Sequence, residues 1–139
     1  MPVLFFSEDT ISPELDQKLI SEWIINTIQN ENKQTGNVNV IYTSDNYLLQ
    51  INKKYLNRND YTDIITFDYC DNQVIAGDLF ISVERVYENA VQYNTSYDNE
   101  LSRVIIHGVL HLLGYDDASD DEKKLMKKKE NEYLNRINL

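Results

Sequence analysis

"RVIIHGVLHLLGYDD", residues 103–117, is the stretch of sequence that decides how this chain is expected to fold. It holds both histidines of the protein, His107 and His111, four residues apart in an otherwise apolar run. Residues with that spacing lie on the same face of an α-helix, with Cβ atoms about 5–6 Å apart. Gly114 is expected to end the helix, because glycine commonly follows the last helical residue. We therefore predict a helix that begins near residues 97–99 and carries both imidazoles on one face.

The two imidazoles and the carboxylates after Gly114 form a candidate metal site. If the chain doubles back at the glycine, Asp116 or Asp117 approaches the histidines, and Asp117 completes the spacing H-x-x-x-H-x-x-G-x-x-D. Two imidazoles and one carboxylate are a ligand set of catalytic zinc, which lowers the pKa of a bound water to about 7. Histidines on an apolar helix also occur as ordinary core residues, so the pair alone does not establish a metal.

A similar spacing, H-E-x-x-H-x-x-G-x-x-H, occurs in metalloproteases. In this chain Gly108 replaces the glutamate that serves those proteases as general base, which makes peptidase activity the weaker enzymatic interpretation. Glycine in the middle of a helix costs about 1 kcal/mol relative to alanine. Gly108 therefore indicates a close approach of another backbone segment or of substrate, or a glycine tolerated beneath a packed strand.

Length and composition indicate one domain over residues 1–139, with 42% hydrophobic residues to form a core. The single cysteine, Cys70, cannot form an internal disulfide, and the opening MPVLFF is too short for a secretory signal. No apolar run approaches the roughly 18 residues of a membrane span. We expect a cytoplasmic protein.

The formal charge of −10 argues against sequence-blind affinity for nucleic acid, which depends on clustered positive charge. If RNA is a partner, local basic patches or another macromolecule must supply the attraction.

Hydrophobic periodicity and turn residues predict an α+β fold, a small sheet covered by helices. The first helix is expected to be capped by Ser12 with Pro13 at its first position, and the last helix to open with a capping box of Ser119 and Glu122. The other predicted elements are a strand at 37–43, a helix at 44–56, an antiparallel pair of strands at 62–69 and 75–83, and a helix at 82–92.

The chain resembles the YbeY family of bacterial metal-dependent endoribonucleases, whose signature is H-G-x-L-H-L-x-G-Y-D-H. Residues 107–117 read HGVLHLLGYDD and depart from this eleven-residue signature only at its last position. Residues 51–67, INKKYLNRNDYTDIITF, are similar to the family's L-N-x-x-Y-R and T-D-V-L-S-F, and residues 76–82, AGDLFIS, to its G-D-I-x-I-S.

The resemblance implies a zinc-dependent, single-strand-specific endoribonuclease with one zinc ion per chain. It implies a role in maturation of ribosomal RNA, especially the 3′ end of the small-subunit 16S RNA, and in ribosome quality control. The expected partners are ribosomal RNA and small-subunit ribosomal proteins. The implied fold is a small mixed sheet flanked by helices, zincin-like, with the metal site on a central helix.

The metal ligands implied by the resemblance are His107, His111 and Asp117. Asp117 stands where the family has a third histidine, and a carboxylate remains an acceptable zinc ligand. Its charge is expected to acidify a bound water less than an imidazole would and to widen the choice of metal toward harder ions. Asp116 is the alternative ligand.

The resemblance also leaves the phosphate-binding groups open. Leu56 stands where the family has an arginine, and Arg58 is the candidate catalytic replacement, or else a solvated loop residue. Lys54 and Arg103 are further candidates for contact with substrate phosphates. Arg103 has an alternative in an i,i+3 pair with Glu100.

Three remaining features have competing interpretations. Asp63 and Asp78 match family positions near the sheet, where they are expected to serve a structural role or to support the metal ligands. The lysine-rich residues 123–130 are either a solvated helix face or a contact with ribosomal RNA. The whole chain, finally, has an alternative as a noncatalytic ribosome-associated module in which the metal only fixes the last loop.

Overall fold

The structure, a computed structural model, describes residues 2–137 and has the predicted α+β architecture. Its elements in chain order are β1 (Val3–Ser7), α1 (Gln17–Asn30), β2 (Gln34–Thr43), α2 (Asp45–Leu56), β3 (Ile64–Asp68), β4 (Val74–Ser82), α3 (Val83–Gln92), α4 (Tyr97–Leu112) and α5 (Asp120–Leu134). No helix within residues 2–137 combines the length and the apolar character that crossing a bilayer requires.

The four strands form one mixed sheet in the order β1-β2-β4-β3. β1 and β4 both pair with β2 in parallel, with Val40 opposite Phe5 on one side and Leu79 on the other. β3 pairs with β4 in antiparallel fashion, and Thr66 lies opposite Leu79. The mixed sheet and the antiparallel relation of the last two strands were both predicted, and both are confirmed.

Helix α4 lies at the centre of the core. It packs against β3 and β4 on one face of the sheet, beside α1, while α2 covers the opposite face through Tyr55, whose ring meets Phe67 edge-on. Ten of the sixteen residues of α4 are buried. Since fully burying one large aliphatic side chain stabilises a fold by about 1.5–3 kcal/mol, α4 is firmly fixed. The partly exposed residues of α4, which include His107 and His111, are therefore held in fixed positions by the packing of the helix in the core.

The start of the first helix was predicted wrongly. The cap is Asp16, whose carboxylate accepts a hydrogen bond from Leu19 N at 3.1 Å, and not Ser12 with Pro13. The Ser12 hydroxyl is engaged with the hydroxyl of Ser7 at the end of β1. Both serine and aspartate are good N-caps, and the sequence offered each at a plausible distance from the apolar face.

Strand β1 was not predicted. Its residues pair in parallel with a strand that begins about thirty residues downstream, after a full helix. The short apolar run VLFF is compatible with a strand but does not by itself distinguish a strand from a buried helix segment. At the other end of the chain, the predicted capping box of Ser119 and Glu122 is present and opens α5.

A candidate metal centre and its cleft

Helix α4 places its two histidines as predicted. Nε2 of His107 and Nε2 of His111 lie 3.0 Å apart, with the two rings nearly perpendicular. After Leu112 the chain turns at Gly114, whose φ of +102° is a conformation that residues with a side chain rarely adopt. The N–H of Tyr115 returns to the carbonyl of Leu110 at 3.0 Å, which closes the helix end.

This turn brings Asp117, and not Asp116, to the histidines. Asp117 Oδ2 lies 3.3 Å from Nε2 of His107 and 3.5 Å from Nε2 of His111. Tetrahedral zinc with bonds of about 2.0–2.1 Å places neighbouring ligand atoms about 3.3–3.4 Å apart. The three donors are spaced to bind a single metal ion, and their chemistry suits zinc.

Glu130 of α5 completes the site from behind. Its Oε2 lies 2.6 Å from Nδ1 of His107, and its side chain is buried beside Met126. An ionised carboxylate only accepts hydrogen bonds, so Nδ1 of His107 carries a proton, and in the neutral imidazole Nε2 has a lone pair that faces the cluster. The sequence assigned Glu130 no role, although a carboxylate on the apolar face of α5 was the available signal.

Arg103 supports Glu130 and does not pair with Glu100, so that predicted pair is wrong. Its guanidinium donates to Glu130 Oε1 at 2.8 Å and to Asn131 Oδ1 at 2.8 Å. Glu100, seven residues before His107, is itself buried. An i,i+3 spacing permits a pair along one helix, but the buried carboxylate on the neighbouring helix offers Arg103 a better-formed partner.

These contacts fix the charges at the site. Burial alone would raise the pKa of Glu130, but hydrogen bonds from His107 and Arg103, with their charges, lower it below its ordinary value. Burial likewise opposes the charged form of His107, but the hydrogen bond to Glu130 and the charges of Glu130, Asp117 and Asp63 outweigh burial and raise the pKa of His107. Without a metal, His107 therefore holds a second proton more readily than a free imidazole does, and metal binding at Nε2 must displace that proton.

A cleft of about 600 Å³ opens beside the cluster, between α4, α5 and the turn that joins α3 to α4. It is lined by Tyr93, Thr95, Asn99, Glu100, Arg103, His107, Asp117, Lys123, Met126, Lys127 and Glu130. Arg103, predicted to contact substrate, thus faces the cleft, but its donors already bind Glu130 and Asn131.

Lys54 and Arg58 lie elsewhere. Arg58 is 67% exposed, pairs with Asp60 at 3.3 Å and lines a separate depression of about 230 Å³ beside β3. The ammonium group of Lys54 lies 5.2 Å from the ring centre of the neighbouring Tyr55. The cleft beside the cluster is lined by neither residue, so their contact with substrate stays a prediction.

Asp63 and Asp78 both make contacts that support the fold. The carbonyl of Asp63 accepts a hydrogen bond from Ser82 N at 3.0 Å, and its carboxylate accepts one from Asn89 at 3.2 Å. Asp78 accepts one from Asn39 at 2.9 Å, across the β2–β4 pair. These contacts fit the structural role expected of both.

Gly108 faces the sheet and not the metal ligands. A Cβ atom built there would lie 2.7 Å from Cδ1 of Ile64 and 3.0 Å from Cδ2 of Leu79. The interpretation of a glycine beneath a packed strand is therefore the right one. A glutamate at this position would have to enter the core, so the protease-type general base has no place here.

A second group of contacts holds the loop that carries Asp117. The hydroxyl of Tyr115 donates to Glu31 Oε1 at 2.6 Å, the hydroxyl of Tyr133 also donates to Glu31, and Lys129 lies 3.3 Å from Glu31 Oε2. Burial acts to raise the pKa of Glu31, but the two tyrosine hydrogen bonds and the charge of Lys129 lower it overall. Glu31 closes α1, about eighty residues before the loop, and no local pattern predicted this contact.

Comparison of this chain with known proteins finds one family that covers nearly all of it. The model of the family described as Endoribonuclease YbeY matches residues 5–138. A protein of that description from Parabacteroides distasonis is 42% identical over 134 residues, 96% of this chain and 94% of the relative. One from Flavobacterium psychrophilum is 50% identical over 112 residues, 81% of this chain and 80% of the relative. The solution structure of TM1509 from Thermotoga maritima is similar with a TM-score of 0.67 and 29% identity, over 95% of this chain and 86% of that one.

Proposed function

Because the chain belongs to the YbeY family of endoribonucleases, we propose that it is a zinc-dependent enzyme that hydrolyses phosphodiester bonds of single-stranded RNA. Its substrate in this proposal is ribosomal RNA, in particular the 3′ end of the small-subunit 16S RNA, and it also serves ribosome quality control.

The arrangement of His107, His111 and Asp117 carries the proposal. These residues would hold the ion through two imidazole nitrogens and one carboxylate oxygen, a set that leaves a coordination position open. When bound, zinc supplies a Lewis acid and a hydroxide-like nucleophile at neutral pH. Structural zinc sites are usually closed by a fourth protein ligand, whereas residues 2–137 supply three ligand atoms to this cluster.

The residues behind the ligands prepare them for this task. Glu130 holds the proton of His107 on Nδ1, at 2.6 Å, so that Nε2 is free to bind the metal. Arg103 in turn holds Glu130 in its ionised form. Such a chain of carboxylate and guanidinium raises the basicity of the imidazole and fixes its orientation without touching the substrate.

Adjacent carboxylates offer a matched test. Asp117→Asn and Asp116→Asn each remove one negative charge from the same loop, but only Asp117 lies in the cluster, and Asp116 is exposed. Each protein, purified without chelators or a histidine tag, is analysed for zinc and then incubated with a single-stranded fragment of the 16S 3′ end. We expect Asp117→Asn to lose zinc and cutting and Asp116→Asn to keep both. Equal zinc content and equal cutting in the two variants would contradict the proposal.

The acidic charge of the chain bears on its partners. With a formal charge of −10, the protein gains little from RNA phosphates at long range, whereas basic small-subunit ribosomal proteins would attract it. We therefore propose that such proteins, in the cytoplasm, bring the enzyme to its RNA. The test is a pulldown with the enzyme fixed to a resin. We expect it to recover small-subunit ribosomal proteins at low salt and to lose them at high salt. Recovery of RNA without any ribosomal protein would contradict the proposal.

One observation favours a second candidate, a noncatalytic ribosome-associated module. Leu56 takes the place of the family's arginine, and Arg58 lies outside the cleft beside the metal ligands. In this alternative the metal only fixes the loop from Gly114 to Asp117. It predicts that zinc removal lowers thermal stability while no RNA is cut by the zinc-loaded protein, even in the presence of ribosomal subunits.

A further inference from the structure

We propose that Lys123 and Lys127 of α5 bind the phosphates of the RNA strand and that Tyr93, at the end of α3, stacks against one of its bases. This inference rests on the proposed function. It names the groups that hold the substrate in the cleft beside the metal ligands.

The lysines of α5 divide by the direction that they face. Lys123 and Lys127, one helical turn apart, line the cleft, whereas Lys124 and Lys128 do not. Lys129 is bound to Glu31 at 3.3 Å. Residues 123–130, expected to be either a solvated face or an RNA contact, thus contain one pair of lysines directed to the cleft and one pair directed to solvent.

The two cleft lysines are available to a ligand. Both are exposed, and within residues 2–137 neither forms an ion pair with a carboxylate. Arg103, the other cation on the cleft, donates to Glu130 and Asn131. Phosphate binding through Arg103 would require breaking contacts that orient His107, whereas binding through the lysines breaks none.

The charges of the residues that line the cleft also favour an anionic ligand such as a phosphate. Glu130 is paired with Arg103 and His107, and a bound metal ion would neutralise Asp117. Glu100 is then the remaining carboxylate among the lining residues, and it is buried, whereas Lys123 and Lys127 are exposed and outnumber it. Lysine is a compact, flexible cation that binds phosphate as a point charge and does not require one fixed geometry. Two lysines four residues apart are separated by about 6 Å along the helix axis, and their flexible side chains can reach neighbouring phosphates of one strand.

Tyr93 lines the cleft from the turn between α3 and α4, and its side chain is 63% exposed. An aromatic ring on a cleft wall is a platform for a nucleobase, and stacking is tolerant of sequence because every base has a π-face. A base can lie flat against such a ring only when it is not stacked in a duplex, which restricts the cleft to unpaired strands.

This assignment differs from the expectation that Lys54 or Arg58 contacts the phosphates. Both lie outside the lining of the cleft, so a strand bound beside the metal ligands meets the cations of α5 and not those at the end of α2. In this inference the phosphate-binding groups belong to α5, the helix that comes directly after the loop carrying Asp117.

The test compares two double variants on one helix. The variants Lys123→Gln/Lys127→Gln and Lys124→Gln/Lys128→Gln have the same spacing and charge change, and all four side chains are exposed, so neither variant threatens the fold. Affinity of the zinc-loaded protein is measured by fluorescence anisotropy with a labelled single-stranded 2′-O-methyl oligonucleotide, checked afterwards for intactness. The measurement is repeated over a series of KCl concentrations.

We expect the cleft pair to bind about tenfold more weakly and to reduce the slope of log K against log salt by about 1.4, since each phosphate contact on a single strand contributes about 0.7. The solvent-facing pair should bind as the wild type does. Equal losses in the two double variants, or no loss in either, would overturn the inference.

Tyr93 is tested by its own series. Tyr93→Ala should bind the oligonucleotide about tenfold more weakly, and Tyr93→Phe should restore the affinity because the ring remains. Tyr87→Ala, on the same helix and similarly exposed at 61%, serves as control because Tyr87 lies outside the lining of the cleft. Unchanged binding by Tyr93→Ala, or failure of the phenylalanine variant to restore it, would remove Tyr93 from the site.

Cleavage of an unmodified strand separates this inference from the proposed function. If the wild type cuts RNA and the cleft pair cuts with the same KM as the solvent-facing pair, the lysine site is wrong and the function stands. If the wild type binds the oligonucleotide through the cleft pair but cuts no RNA, the site stands and the hydrolase is wrong. A wild type that neither binds nor cuts overturns both.

Discussion

Glu130 Oε2 lies 2.6 Å from Nδ1 of His107, and this hydrogen bond leaves the opposite nitrogen of the ring to face His111. The contact joins α5 to α4 and makes the last helix part of the candidate metal site. Without Glu130, the imidazole of His107 would be free to rotate about its side-chain bonds. The hydrogen bond to Glu130 fixes the orientation of this ring even when no metal is bound.

The first prediction concerns that hydrogen bond. Glu130→Gln should weaken zinc binding by about 10–100-fold, the usual effect of removing a carboxylate that orients a metal-bound histidine. The measurement is a competition titration of the purified protein with a zinc-binding dye. Glu132→Gln, an exposed neighbour on the same helix, should bind zinc as the wild type does. If both variants bind zinc equally, Glu130 does not orient the ligand.

A second prediction follows from the contacts of Glu31. Its pKa is lowered in the folded protein, so the stabilisation is present above the unfolded value of 4.5 and is lost as pH falls through the folded pKa. Glu31→Gln should destabilise the protein by roughly 1–3 kcal/mol at about pH 7, because the variant lacks the charged acceptor of the tyrosine and lysine contacts. The loss should be smaller at about pH 3, because below 4.5 the stabilisation by the ionised carboxylate decreases as pH falls toward the folded pKa.

Urea unfolding at the two pH values checks this prediction, with exposed Glu22→Gln as the control on α1. A difference between wild type and Glu31→Gln that stays constant down to about pH 3 would show that the charge of Glu31 is not the source of the stabilisation.

The third prediction addresses the mid-helix glycine. Gly108→Glu should destabilise the protein by roughly 3 kcal/mol or more, because the new side chain must enter a space where a Cβ atom already meets Ile64 and Leu79. Thermal unfolding measures the loss, and a casein digestion assay measures peptidase activity, which we expect to be absent. A stable Gly108→Glu protein that digests casein would revive the protease interpretation.

The fourth prediction concerns removal of the metal. Chelation should lower the melting temperature of the wild type, since an ion present at about 100 times its Kd stabilises the folded state by about 2.7 kcal/mol. The shift should vanish in His111→Ala, which lacks one ligand and so has no metal to lose. Differential scanning calorimetry with and without chelator measures both. Equal shifts in the two proteins would mean that the chelator acts somewhere other than at this cluster.

The parts of the site that the sequence predicted all depend on short-range spacing. His107 and His111 follow from helical periodicity, and Gly114 from the way helices end. Asp117 was selected over Asp116 by resemblance to a family motif and agrees with the geometry of the loop. Because these residues lie within eleven positions of one another, local backbone geometry brings them close together, and the contact of Tyr115 with Glu31 then holds the loop that carries Asp117.

The parts that the sequence did not predict depend on packing between distant elements. Glu130 and Glu31 reach the site from α5 and α1, and β1 exists only through its pairing with β2. Arg103 was expected to stay with Glu100 on its own helix, but α5 brings a better partner. Local sequence patterns do not indicate which helices will pack against each other. These contacts could therefore be identified only from the three-dimensional structure.

Return of activity as zinc is added back to chelated protein tests the central claim most directly. The wild type is stripped of metal, and cutting of a single-stranded 16S 3′ fragment is followed while zinc is added in steps. We predict no cutting without metal and a linear rise that saturates at one zinc ion per chain. Cutting that persists in the stripped protein, or that never returns when the cluster is full, would contradict the account.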